Sequence, residues 1–210
     1  MTAIRNIFLR QGKVVVLEGL DRTGKSTQLD ALDEVLDAAS VLFAHMPSGF
    51  TEFTQRVYEA LESKTGKPAS GLAQQLAHLA CHAESIPALI TALGSRAVVL
   101  DRWWWSTLAY GWYGGSVRDS GLSEAAFNEL VQSIWAPIVP SVIFVFLTPL
   151  QMDENNANGV KAGYRALMNQ HADRAVLIPV LSPEDTRRFI IDELLRRGIA
   201  TVDRPTGEQS

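Results

Sequence analysis

A doubly wound α/β fold, a five-stranded parallel sheet flanked by helices, is what three features of this sequence predict. Short β-branched and aliphatic runs of strand length alternate with longer stretches of helical periodicity. The first run passes through a glycine-rich loop straight into a helix, and a later run ends on the charged pair Asp101-Arg102. In such an alternating chain the crossovers are right-handed, the strands parallel, and ligands lie beyond the strands' carboxyl ends.

Val14 to Leu17 is the first strand, apolar throughout because both of its faces are covered. The helix that opens near Lys25 spaces Leu29, Leu32 and Leu36 by three and four, which gives one apolar face. Val41 to Phe43 is the second strand, and Phe53, Val57, Tyr58 and Leu61 predict a helix over 51–61. Leu72 to Leu93 is helix-forming, with Pro87 expected to kink or divide it. Ala97 to Leu100 is a strand closing on Asp101, and Ser123 caps a helix that runs toward Trp135. Val142 to Leu147 is the fourth strand. The stretch from Gln151 to Gly163 is polar and rich in Asn and Gly, so it reads as a loop or lid of low intrinsic order, with the whole lid at about 149–163. A helix over 164–173 and a strand over 175–180 follow. Pro183 then opens a helix that sets Phe189, Ile190 and Leu194 on one face, and the tail after Asp203 is expected to fray.

The 210 residues, 47% of them hydrophobic, suffice for one domain over 1–210 with its core at about 13–200. With 19 basic against 23 acidic residues the net charge is −4, which leaves no broad cationic surface for a nucleic-acid duplex or an anionic membrane. The single cysteine, Cys81, rules out an intrachain disulfide framework and a cysteine-based zinc site, and suits a reducing cytoplasmic setting. The apolar runs are of strand length, and the N-terminus has no signal-peptide core, so no membrane association is expected.

Gly19-Leu20-Asp21-Arg22-Thr23-Gly24-Lys25-Ser26 matches Gly-x4-Gly-Lys-Ser between a strand and a helix, the context in which that pattern cradles a nucleoside triphosphate. Gly19 and Gly24 permit the turns that aim backbone N–H groups at phosphate oxygens; Leu20 and Thr23 complete the loop. Lys25 is placed to reach the β and γ phosphates of ATP, Ser26 offers a hard oxygen ligand to Mg²⁺, and Thr27 adjoins the α-phosphate. At the end of its strand Asp101 is a second candidate for the metal, and Arg102 supplies a fork for a phosphate.

Two stretches carry a family resemblance. Leu17 to Gln28, with Asp21-Arg22 inside the loop, and Asp101-Arg102-Trp103-Trp104-Trp105-Ser106-Thr107-Leu108-Ala109-Tyr110 together resemble the thymidylate kinase family. The resemblance covers roughly the first 150 residues and continues in pattern only over the last 60. It implies a P-loop kinase that moves the γ-phosphoryl group of ATP, with Mg²⁺, onto the 5′-phosphate of a deoxynucleoside monophosphate, dTMP or a related pyrimidine deoxynucleotide, and it implies a homodimer. By the same resemblance Lys25 and Arg22 stabilise charge on the transferred group and Arg102 clamps the acceptor phosphate. Asp21 touches the acceptor sugar or the metal shell, Tyr110 packs on the deoxyribose, and Thr107 adjoins the base.

Three departures bear on the acceptor. His78 and His82 stand where the family carries a base-stacking aromatic and an arginine; four residues apart, they share one helical face. Met46-Pro47-Ser48-Gly49 lacks the arginine that follows the family's proline, and Lys161 is the one cation between Thr148 and Gly163. Trp103, Trp104, Trp105, Tyr110, Trp112 and Tyr113 put six aromatics into eleven residues, as base-stacking surface with Trp103 nearest the acceptor, or as core.

These departures open a second acceptor class, a 5-modified pyrimidine of the 5-hydroxymethyldeoxyuridine type, as a nucleotide or within DNA. Its hydroxyl would need a base from Asp21 or Asp101, while the acidic net charge weighs against a DNA contact. A third reading is a non-catalytic nucleotide-binding module, and the intact set Asp21, Arg22, Lys25, Ser26, Asp101 and Arg102 speaks against it.

Overall fold

The computed structural model describes residues 7–156 and 158–202. Five parallel strands form the sheet: β2 (Val14–Gly19), β3 (Val41–His45), β4 (Ala97–Asp101), β5 (Val142–Phe146) and β6 (Ala175–Leu177), in the order β3-β4-β2-β5-β6. The chain order reverses at β2, so the crevice beyond its carboxyl end lies between β4 and β5.

Both faces of β2 are buried, as its unbroken apolar run requires. Val14 and Val16 point to one side with α3 (Gly71–Leu93), α5 (Glu124–Trp135) and α6 (Asn158–Gln170). Val15 and Leu17 point to the other, against α1 (Lys25–Asp33) and α7 (Pro183–Arg196). A small antiparallel pair, β1 (Phe8–Leu9) with β7 (Ala200–Thr201), closes that second side and is too short to leave a periodic signal in the sequence. The remaining helices among the described residues are α2 (Glu52–Glu62), a short α4 (Trp104–Ser106) that continues as a π-helical turn over Thr107–Tyr113, and a 3₁₀ turn over Arg118–Ser120.

Most sequence expectations hold, with instructive exceptions. Pro87 does not divide α3, which runs unbroken for 23 residues. Leu79, Ile86 and Leu89 bury against the sheet on both sides of it, while Pro87 and Ala83, whose carbonyl loses its amide partner, face solvent that can replace the bond. α1 stops at Asp33, and Leu36 is buried beyond it beside a bridge to Ile7. Phe53 does not join the buried face of α2 but is half exposed.

The lid differs most. α6 begins at Asn158, not at Tyr164, so the polar loop is shorter than its composition suggests. Gly159 and Gly163, which read as signals of disorder, are sites of close packing. A Cβ on Gly159 would lie 2.3 Å from the Tyr113 carbonyl oxygen, and one on Gly163 would lie 2.6 Å from the Tyr113 ring. The predicted fraying after Asp203 falls outside the described residues.

Candidate active site

The carboxyl ends of β2, β3 and β4, the loop after β2 and one face of α3 enclose a cavity of about 870 Å³. Its floor is the phosphate-binding loop. Gly19 adopts φ 133°, and a Cβ there would sit 2.1 Å from the Phe146 carbonyl oxygen, so only glycine fits against β5. Gly24, at φ 87°, turns the chain into α1 and leaves the first N–H groups of that helix facing the cavity end of the loop.

The Lys25 ammonium rests against the carbonyls of Leu20, at 2.5 Å, and Gly19, at 3.4 Å. Burial pushes its pKa down to about 8, with the nearby Arg102 cation acting in the same direction. Leu20 and Gly19 thus serve Lys25 through their carbonyls, whereas Thr23, Gly24, Ser26 and Thr27 border the cavity itself.

Among the described residues two non-glycine residues adopt left-handed backbone, and both are arginines of the site: Arg22 at φ 56° and Arg102 at φ 68°. Arg102 ion-pairs with Asp21, donates to Ser106 Oγ at 2.9 Å and lies over the Tyr110 ring, 5.5 Å from its centroid. Arg22 turns to the lid, where its Nε donates to Asp153 Oδ2 at 2.9 Å.

The lid is latched onto the loop's main chain. Asn156 Oδ1 accepts the Asp21 N–H, Asn156 Nδ2 donates to the Asp21 carbonyl, both at 2.8 Å, and Tyr110 donates to the same Oδ1 at 3.3 Å. Lys161, the lid cation of the sequence, is not at this cavity. With Arg165 it borders a separate hollow of about 390 Å³ under Thr148 and Ile178.

Glu18 was the residue most easily overlooked: one acid at the end of an apolar strand. Its fully buried carboxylate accepts from the Trp103 and Ser106 amides at 2.8 and 3.0 Å, from Ser106 Oγ at 2.7 Å and from the Tyr164 hydroxyl at 3.0 Å. Burial raises its pKa, and the Arg102 charge works against that rise. Glu18 thereby fixes the start of the 103–113 segment to β2 and to α6.

His45 was also missed. Its Nδ1 lies 2.8 Å from Asp101 Oδ2, and its ring borders the cavity. Burial alone would raise the Asp101 pKa; the interaction with His45 and the charges of Arg102 and Lys25 together outweigh it and hold the carboxyl below its ordinary range. The other oxygen, Oδ1, is buried without a hydrogen-bond partner among the described residues. With Ser26 on the same cavity, that orphaned oxygen suits a hard cation. Among the described residues no cluster of three or more His, Cys, Asp or Glu side chains forms a metal cage.

The α3 wall of the cavity carries Gln75, His78 and His82, and the opposite side carries Trp103, Thr107 and Tyr110. Both histidines therefore reach the cavity. Burial lowers His78 to about 4 and His82 to about 3, so both are neutral at pH 7. Of the aromatic cluster, Trp103 and Tyr110 border the cavity. Trp104 and Trp105 are core: Trp103 packs on them and on Trp135 at centroid distances of 4.9, 6.2 and 6.2 Å. For these two rings packing, not base stacking, accounts for the run.

A family model for thymidylate kinase matches residues 17–135. The thymidylate kinase of Parasynechococcus marenigrum is 28% identical over 160 residues, 72% of this chain and 74% of its own length. That of Pelotomaculum thermopropionicum is 31% identical over 139 residues, 64% of this chain and 62% of its own. In fold, the chain is similar to the crystal structure of thymidylate kinase from Ehrlichia chaffeensis, with a TM-score of 0.70 at 21% identity, covering 87% of this chain and 98% of that one.

Proposed function

This chain belongs to the thymidylate kinase family of phosphotransferases, and we propose that its reaction is the transfer of the γ-phosphoryl group of ATP to the 5′-phosphate of dTMP, giving dTDP and ADP. The observation that carries this reading is the meeting of the Lys25 loop and the Asp21–Arg102 pair on one cavity whose α3 residues Gln75, His78 and His82 are neutral at pH 7.

In this scheme an oxygen of the acceptor phosphate forms a bond to the γ-phosphorus as the bond from that phosphorus to the β,γ-bridging oxygen breaks. The acceptor is already an anion and needs no general base, so the protein's work is positioning and electrostatics. Lys25 leaves the loop carbonyls for the β and γ phosphates. Arg22 exchanges Asp153 for the transferred group, the role an arginine finger has elsewhere. Arg102 is held by Ser106 and Asp21 where it can clamp the acceptor phosphate, and Asp21 is left to meet the sugar. Ser26 and the free oxygen of Asp101 would hold Mg²⁺, which when bound offsets charge on the phosphates. Tyr110 and Thr107 border the acceptor.

The test is Mg²⁺-dependent ADP release from ATP against deoxynucleoside monophosphates, nucleosides and base-modified DNA, with Lys25→Ala as the blank. Selective turnover of dTMP is expected. Turnover with nucleosides or modified DNA alone would replace the acceptor phosphate by a hydroxyl, and binding of ATP with no turnover would leave a nucleotide-binding module.

A further inference from the structure

Glu18 and Tyr164 are fully buried and neither borders the cavity, so neither can touch a substrate held there. Both nevertheless reach Arg102 through one atom, Ser106 Oγ. Arg102 Nη1 donates to that oxygen at 2.9 Å. The same oxygen lies 2.7 Å from Glu18 Oε2, and the Tyr164 hydroxyl lies 2.9 Å from it and 3.0 Å from Oε2. The other oxygen of Glu18 takes the Trp103 and Ser106 amides, so the group meets donors on both sides, as a carboxylate does. A serine hydroxyl has one proton and two lone pairs. The carboxylate can only accept, so it takes the Ser106 proton and leaves both lone pairs for donors. One of them receives the guanidinium. Burial raises the Tyr164 pKa and the Glu18 charge adds to the rise, so the phenol keeps its proton, held between Oε2 and the second lone pair.

We infer that Glu18 and Tyr164 are positioning residues for Arg102, acting through Ser106. They leave the serine oxygen with no proton to spare, which holds the guanidinium toward the acceptor phosphate and ties that clamp to α6, the helix that follows the lid loop. This rests on reading Arg102 as the acceptor clamp and deepens that reading. Asp21 is the other anion on the guanidinium, and under the proposed reaction it is left to meet the sugar. What then keeps Arg102 aimed is Ser106, with the Gly19 carbonyl at 3.3 Å and the Tyr110 ring. Of these three contacts, Ser106 is the one backed by a buried anion at hydrogen-bond distance.

Two measurements test it. In nitrogen-15 NMR of the arginine side chains without nucleotide, Arg102, assigned by the signals lost in Arg102→Ala, should show separate Nη resonances, the mark of a held guanidinium. In Tyr164→Phe, which removes the hydroxyl and keeps the ring, they should broaden into one. In steady-state kinetics Tyr164→Phe should raise the acceptor KM by about three- to tenfold, the worth of a neutral hydrogen bond, while kcat and the ATP KM stay within about twofold. On an Arg102→Ala background the same substitution should change the acceptor KM by less than about twofold, because the contact through which it acts is gone. A hydroxyl that served only the packing of α6 would cost the same factor on both backgrounds. If Tyr164→Phe does not fold, Ser106→Ala carries both measurements with the same expected signs. A freely rotating Arg102 in the wild type, unchanged signals in the variant, or equal factors on the two backgrounds overturns the inference even if dTMP is phosphorylated. A held guanidinium released in the variant, with no dTMP turnover by the wild type, sustains it and overturns the proposed reaction instead.

Discussion

At the phosphate-binding loop the cavity is walled by Asp21, Lys25, Asp101 and Arg102, whereas along α3 it is walled by Gln75, His78 and His82, which are neutral at pH 7. The charged end is assembled from loop and strand-end residues whose side chains pair with one another. The neutral end comes from one helix face, where His82 Nδ1 accepts at 3.2 Å from the Trp135 indole, 53 positions away in sequence. Under the proposed reaction the two ends would divide the substrate by chemistry, the charged end meeting phosphates and the neutral end the rest of the acceptor.

Removing charge at the loop end should therefore cost turnover, not selectivity. Lys25→Ala is expected to lower kcat by at least about a thousandfold, the scale for losing a preorganised charge at a transferring group, as read by ADP release. Residual turnover near the wild-type rate would place the catalytic charge elsewhere. Arg102→Ala should raise the acceptor KM by about thirtyfold or more, the scale for truncating a charged hydrogen-bonding partner, while the ATP dissociation constant changes little. An equal loss for both substrates would mean the residue organises the whole cavity.

The same charge should burden the folded protein. Lys25 titrates near 8 when folded against 10.5 unfolded. Between those values the unfolded chain binds the extra proton, so stability rises with pH across that window, and the full cost is felt below about 8. Lys25→Met should stabilise the protein by about 2 kcal/mol at pH 7, with the gain fading as pH climbs through 10, in denaturant unfolding without nucleotide. A gain independent of pH would point to packing. The smallest effect should come from Asn156→Ala: a loss of about 1 kcal/mol from two hydrogen bonds, seen as faster amide exchange at Asp21, with a few-fold change in ATP KM.

The charged end was legible because its chemistry is local. Gly19 to Ser26 is contiguous, and Asp101-Arg102 closes an apolar run, so strand ends and loop could be read together. Glu18 and His45 were missed because their partners, Tyr164 and Asp101, lie 146 and 56 residues away. At the neutral end helical spacing put His78 and His82 on one face, but nothing in the sequence joins Trp135 to His82. Composition misled at the lid, where Asn156 and the glycines of α6 signal loose chain in isolation and serve here as a latch and as close-packing contacts. Pro87 misled in the opposite sense, since a helix tolerates a missing amide where water can take its place.

Arg22 and Arg102 both occupy backbone that glycine would adopt freely. For a residue with a side chain each such conformation costs on the order of 1 kcal/mol. An engineer seeking only stability would write glycine at both places, and the chain would relax and lose its two guanidinium groups. That both positions hold arginine records, within a single sequence, a choice of chemistry over backbone comfort.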